Sequence, residues 1–166
     1  MTDTPQQSQT AKLLAGAAAG IVAGVLASFA MDRFQAAVTA LSPSDDSGGG
    51  DDPATVKAAE MVTQVPEADK PLAGQLVHYA VGTGLGLLYG ILAEVKPGIT
   101  AGYGTAFGTG TAALLDEAAV PAVGLGEAPR KTDATTHLYG LASHLIFGLV
   151  AELARSQVRA TLEPKE

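Results

Sequence analysis

Four stretches of this chain run without a charged side chain: Leu13–Met31, Leu72–Ala93, Ile99–Leu115 and Ala134–Ala151. An α-helix rises about 1.5 Å per residue, so roughly 20 apolar residues carry it across a hydrocarbon core about 30 Å thick. The first two blocks reach that length, and the last two are shorter and richer in Gly, Thr and Ser. A soluble helical bundle would show a charged stripe at helical spacing along each element. None of the four blocks has one. The expectation is therefore an all-α protein, a transmembrane four-helix bundle forming one integral membrane domain, with spans near residues 13–31, 72–93, 99–115 and 134–151 and the lipid bilayer as its first partner. Ser28-Phe29-Ala30 also makes a passable signal-peptide cleavage site, but the apolar run is longer than a usual signal core, so it reads as a span.

Composition supports that class and removes several others. Hydrophobic residues make up 47% of the 166 and charged residues only 16%, with a mean hydropathy of +0.23. The chain contains no cysteine, which excludes disulfides, thiolate metal sites and cysteine nucleophiles. A net charge of −7 is opposite to what a phosphate-binding surface needs, so no nucleic acid is expected as a partner. The histidines His78, His137 and His144 follow no zinc spacing, and no Ser-His-acid or nucleotide-binding pattern is legible. The chain is read as a non-enzyme without cofactor or metal.

Four spans place both termini on one side. With the N-terminus cytoplasmic, Lys12, Lys96, Arg155, Arg159 and Lys165 lie inside and Arg33, Lys57, Lys70, Arg130 and Lys131 outside; the counts tie, but the inside residues sit in short segments at span ends, where the positive-inside rule acts most strongly. Tyr79, Tyr103 and Tyr139 fall near span starts as interfacial anchors. The long connection over residues 33–71 includes the low-complexity run Ser42–Asp52, which reads as a flexible loop. Asp52-Pro53 then gives a helix start, an acid at the N-cap and proline at the first position. Ala58, Met61, Val62 and Val65 follow helical spacing, so residues 53–65 are expected to form a short surface helix.

Two blocks repeat each other. Leu87–Glu94 reads LLYGILAE and Leu145–Glu152 reads LIFGLVAE; more weakly, Gly20, Gly24 and Asp32 precede Gly104, Gly108 and Asp116 by 84 residues. The pattern implies two parallel copies of a helix hairpin, the first carrying the loop insertion. Glycine ridges run along the same helices: Gly16, Gly20 and Gly24 with Ser28 in the first, Gly82, Gly86 and Gly90 in the second. Lipid offers helices no hydrophobic reason to associate, so close backbone approach at such ridges supplies the packing. A glycine-lined pore is the alternative use, and the first span's ridge is also suited to a homo-oligomer or another membrane protein.

Each block stops at an acid: Asp32, Glu94, Asp116 and Glu152. A carboxylate at a helix C-terminus opposes the macrodipole, so each needs a reason. One is a stop signal paired with a nearby base, such as Arg33, Lys96, or Arg155 at i+3 from Glu152. The other is that repeat symmetry brings Asp32 toward Asp116 and Glu94 toward Glu152, making proton or cation sites. His144 lies mid-span on one face with Gly140, Gly148 and Glu152, and a polar group at that depth needs a partner. An interhelical hydrogen bond to Thr83, Ser28 or a carbonyl is one reading, a proton relay another. His78 and His137 sit near the same end of their spans, where they can meet. The candidate proton or ion-binding residues are thus His144, Glu152, Glu94, His78, Asp32 and Asp116.

The run from Tyr89 to Arg159, YGILAEVKPGITAGYGTAFGTGTAALLDEAAVPAVGL followed by a polar loop and HLYGLASHLIFGLVAELARSQVR, resembles the YagU-like family of bacterial inner-membrane proteins, a domain of unknown function. The likeness rests on Ala-Glu-Val closing one span, Pro-x-x-Gly-Leu after the next, and a final span ending in Glu followed by arginines. The resemblance implies a multi-pass protein of the bacterial inner membrane and no catalytic residues. The sequence then leaves two functions in competition. The first is a structural, partner-binding or accessory membrane protein. The second is a small proton-linked transporter or permeation protein using His144, Glu152 and Glu94.

Overall fold

In the computed structural model, residues 5–41 and 52–162 are described, and among them every regular element is helical, with no strand. Three helices are long and apolar enough to cross a membrane: residues Gln9–Leu41 of α1, Glu67–Val95, which contains α3, and Ala134–Leu162, which is α6. The full elements are α1 (Pro5–Leu41), α2 (Ala54–Val62), α3 (Lys70–Val95), α4 (Thr105–Leu114), α5 (Val120–Ala122) and α6 (Ala134–Leu162). α1 packs against both α3 and α6, α4 packs against α6, and α2 lies on α3.

Small residues explain why α1 can sit between two neighbours. Its buried positions are Gly16, Ala19, Gly20, Ala23, Gly24, Ala27, Ser28 and Met31, a stripe that recurs each helical turn. A Cβ added to Gly16 would lie 2.7 Å from the Gly90 carbonyl oxygen, and one on Gly24 would lie 2.9 Å from Thr83 Cα. Gly20 likewise meets the carbonyl of Gly86, and Gly86 the carbonyl of Gly20. These contacts are backbone against backbone, closer than any side chain permits. The α4–α6 contact is built the same way, with Gly104 against the Gly148 carbonyl and Gly108 against that of His144.

Aromatic residues fill the space where α1, α3, α4 and α6 meet. Tyr89 is wholly buried, its ring 4.6 Å from that of Phe107, and Phe147, Ala27, Met31 and Ala151 complete the cluster.

The helix bounds differ from the charge-free blocks, each time for a physical reason. α1 does not stop at Asp32 but continues to Leu41. Gln75 Nε2 donates to the Asp32 carboxylate at 3.3 Å and His78 approaches it at 3.2 Å, so its charge has partners within the bundle. The next turn docks on α6: Phe34 stacks on Tyr139 at 6.2 Å and Gln35 donates to Ser143 Oγ at 3.4 Å.

The third block, 99–115, is not one helix. Pro97–Thr100 is a 3-10 turn, and Gly102, Tyr103 and Gly104 all take positive φ before α4 begins at Thr105. Glycine accepts that conformation freely, and Tyr103 between them is the one non-glycine residue in it among the described residues. α4 then widens into a π-helical turn, Leu115–Ala119, and closes with α5.

The surface helix is α2, Ala54–Val62, shorter than 53–65. Asp52 does not cap it: Pro53 occupies the N-cap position, and the Asp52 carboxylate accepts from Lys70 Nζ at 2.7 Å. Its buried residues are Val56 and Ala59, whereas Met61 is 68% and Val62 88% exposed. Val56 faces Gly74, so the absence of a side chain on α3 fixes which face of α2 turns inward. Most of the low-complexity run, residues 42–51, lies outside the described residues.

Candidate functional site

A partly open cavity of about 760 Å³ lies between α1, α3 and α6, beginning at Gly82 of the glycine ridge. Ser28, Met31, Asp32 and Gln35 of α1 line it, with His78 and Leu85 of α3, Asp116 from the π-turn, and Tyr139, His144 and Phe147 of α6. Pro53, Thr55 and Val56 at the start of α2 cover part of it. A volume of this size suits a small-molecule ligand.

Two histidine–carboxylate pairs stand in that wall. His144 Nδ1 lies 3.0 Å from the Gly140 carbonyl oxygen and 3.2 Å from Asp116 Oδ2. Both neighbours are acceptors, so Nδ1 carries the proton and donates. The second pair joins His78 Nε2 to Asp32 Oδ1 at 3.2 Å, with the Ser28 carbonyl oxygen at 3.4 Å, and the same reasoning makes that nitrogen a donor. Asp116 is close enough because its helix is π-helical there. It also lies over Gly140, where an added Cβ would be 2.8 Å from Oδ2. π-turns inside helices are frequent at functional positions.

The adjacent acid, Glu117, accepts from His137 Nδ1 at 2.6 Å, while His137 Nε2 faces the Pro129 carbonyl at 3.0 Å. With acceptors on both ring nitrogens, the imidazolium satisfies both contacts. His78 and His137 therefore each have a separate acid rather than each other.

At the opposite end of the bundle the remaining two acids pair with arginines. Arg155 grips Glu152 through two bonds, Nε to Oε2 and Nη2 to Oε1, both 2.8 Å. Tyr89 donates its hydroxyl to Glu152 Oε2 at 2.7 Å, and the Arg155 guanidinium lies 5.9 Å from the Tyr89 ring centre. Glu94 is held by Arg159, Nε to Oε1 at 2.7 Å and Nη2 to Oε2 at 3.4 Å. Bidentate charge-assisted pairs of this kind are the strong ones. The i+3 pairing of Glu152 with Arg155 follows from sequence; the crossing from Glu94 to Arg159 does not, since 65 residues separate them.

The six candidate acids and histidines thus fall into two groups. Asp32, His78, Asp116 and His144 face one cavity, while Glu94 and Glu152 are tied down at the far end. Each acid has its own base: Asp32 pairs with His78, Asp116 with His144, Glu152 with Arg155 and Glu94 with Arg159. Of the acids expected to end helices, only Glu94 stands at a helix end, one residue before Val95. Asp32, Asp116 and Glu152 all lie inside helical structure that continues past them. Ser28 was expected in the α1 ridge and as one hydrogen-bond partner for His144, and its Oγ makes no such bond. Its Oγ is buried without a hydrogen-bond partner, and the residue lines the cavity. No group of three or more potential metal ligands occurs among the described residues.

No family model, no curated protein and no solved structure matches the chain.

Proposed function

We propose that this chain is a multi-pass protein of the bacterial inner membrane that binds a partner or ligand and catalyses no reaction. α1, α3 and α6 are three of its spans in this reading, and the helical run from Thr105 through the π-turn to Ala122 is the fourth, making a four-helix bundle with both termini cytoplasmic. The resemblance to the YagU-like family supports the same placement.

The two-hairpin repeat belongs to this proposal as well. Gly16 meets the carbonyl of Gly90 and the side chain of Glu94; Gly104 meets the carbonyl of Gly148 and the side chain of Glu152. Ser28 lies over Gly82 as Asp116 lies over Gly140. These contacts pair the α1 and α4 positions at an offset of 88 residues, one helical turn from the 84 that aligning glycine to glycine suggests.

The observation that carries the functional reading is that the cavity is closed below. Its lining ends at Leu85 on α3 and Phe147 on α6. Beneath them stand the wholly buried Tyr89, with its hydroxyl on Glu152, and the two arginine–glutamate pairs. A blind cavity suits binding; it does not suit conduction.

Proton-linked permeation is the second reading, favoured by His144 and Asp116 standing together at mid-helix. Liposomes containing a pH-sensitive dye separate the two. Under the binding reading, an imposed pH gradient decays no faster with protein than in empty vesicles, and His144→Leu lowers thermal stability without changing flux. Accelerated decay that disappears in His144→Leu and Glu152→Gln would replace binding by permeation.

A further inference from the structure

We infer that α2 is a lid on the cavity, seated on Gly74 of α3 and latched by Lys70, and that it swings away when the latch is released. A lid goes beyond the binding reading, because it governs how water reaches the cavity whatever enters it. Its test needs neither a ligand nor a proton flux, so its failure is distinguishable from failure of that reading.

The place of α2 follows from how the longer helices pack. α1 packs against both α3 and α6, whereas α4 has α6 as its main neighbour. The cavity therefore extends between α3 and the π-turn, with His78 and Val81 on one side and Leu115 and Asp116 on the other. Pro53, Ala54, Thr55, Val56 and Ala58 line the same cavity. The first turns of α2 thus supply a stretch of wall that no longer helix provides.

That stretch of wall is attached separately from the rest. Among the described residues, α3 is the only element against which α2 packs extensively. Only Val56 and Ala59 of α2 are buried, and side chains of that size remove little apolar area from water. The seat itself is a missing side chain: a Cβ on Gly74 would lie 2.7 Å from Val56 Cγ2 and 3.2 Å from Thr55 Oγ1. After α2 the chain reaches the next helical turn through residues 63–66, which carry no helix and are extended at Thr63 and Pro66. Hinges are built from a few element-terminal residues of this kind.

Lys70, the first residue of α3, is the latch. Its ammonium lies 2.7 Å from Asp52 Oδ2, 3.3 Å from Glu60 Oε1 and 3.0 Å from Glu67 Oε2. Asp52 precedes α2, Glu60 stands in its last turn and Glu67 follows the link, so one ammonium grips the lid at both ends and beyond its hinge. Three carboxylates share that charge, and its removal leaves repulsion where attraction stood. The Asp52 and Glu60 side chains keep 37% exposure each, so dissolved salt screens the latch.

The test places single cysteines at Val56 beneath the lid, at Met61 on its exposed side, at Leu85 in the cavity wall and at Ala27 in the bundle core. Each is reacted with a water-soluble maleimide on the full chain in an uncharged maltoside detergent. Val56→Cys should react at least tenfold more slowly than Met61→Cys. Adding Lys70→Gln should speed both Val56→Cys and Leu85→Cys at least fivefold, whereas Lys70→Arg, which keeps the charge, should leave them slow. Ala27→Cys should stay unreactive throughout. Unchanged rates in Lys70→Gln would overturn the latch and with it the inference. Faster reaction at Val56→Cys alone would overturn the lid, because α2 would then move without opening the cavity. Reaction of Ala27→Cys would overturn it as well, since the bundle itself would have opened. Should Lys70→Gln yield no monodisperse protein, salt decides on the Lys70 background. Raising sodium chloride from about 0.05 to about 1 M should then speed Val56→Cys and Leu85→Cys at least threefold and leave Met61→Cys unchanged, and no salt effect would overturn the inference.

Discussion

Asp116 Oδ2 lies 3.2 Å from His144 Nδ1 because α4 gives way to a π-helical turn at Leu115. The turn also sets Glu117 against His137, so two consecutive acids each serve a histidine of α6. His144 is nearly buried, and a polar ring held among apolar helices needs such partners. The Gly140 carbonyl and the Asp116 carboxylate together fix its tautomer.

Glycines at the helix contacts should tolerate substitution according to what stands opposite them. Gly86→Leu and Gly148→Leu drive a side chain into the backbones of α1 and α4. Overpacking of this kind costs about 1–3 kcal/mol or more, so both variants should melt earlier in detergent and accumulate poorly. Gly84→Leu and Gly110→Leu, where an added Cβ meets nothing within 4 Å, should behave as the parent does. Thermal denaturation of the four variants checks the pattern. Equal stability of all four would mean the glycine ridges do not hold the helices together.

The sequence disclosed the helices, the glycine ridges and the pairing of Glu152 with Arg155, since each depends on residues within a few turns. It did not disclose where the helices end. A charged residue reads as a stop when its partners are unknown, and the partners of Asp32 are on α3, more than 40 residues away. The same cause hid the cavity. Asp116 and His144 are legible as unusual residues individually, but their meeting depends on a π-turn that no spacing announces. The inward face of α2 was not legible because it follows a neighbour's missing side chain, Gly74.

Glu94 and Arg159 should be coupled. Both are largely buried, at 13% and 15% side-chain exposure, so removing one partner strands a charge. Glu94→Gln and Arg159→Gln should each destabilise the protein by about 1–3 kcal/mol. The double variant should cost less than the two together, by at least about 0.5 kcal/mol. Thermal melts of the four-member cycle measure the coupling, and strict additivity would show that the bridge contributes nothing.

Asp133 gives α6 its start and makes that start sensitive to acid. Its Oδ1 accepts from the Thr135 and Thr136 amides at 2.9 and 3.0 Å, and its Oδ2 accepts from the Thr136 hydroxyl at 2.9 Å. The bonds from Thr136, backbone first, hold this carboxyl below the usual aspartate range. A group whose pKa is lower in the folded state contributes stability above its unfolded value, about 3.9, and loses it as pH falls through the folded one. Hydrogen-exchange protection of the Thr136 amide should therefore drop on acidification from pH 6 toward pH 3. In Asp133→Asn, which cannot ionise, the drop should vanish. Identical acid sensitivity in both proteins would assign it to another group.

The absence of cysteine makes this chain a ready background for the measurement that bears most directly on the membrane fold. Single cysteines at Met61, Arg130, Gly98 and Leu162 would be probed in intact cells with a maleimide that penetrates the outer membrane and is excluded by the inner one. The four-span reading predicts that Met61→Cys and Arg130→Cys label in intact cells, whereas Gly98→Cys and Leu162→Cys label only after the inner membrane is permeabilised. Labelling of Arg130→Cys and Leu162→Cys from the same side would contradict it, because α6 would then not cross the bilayer.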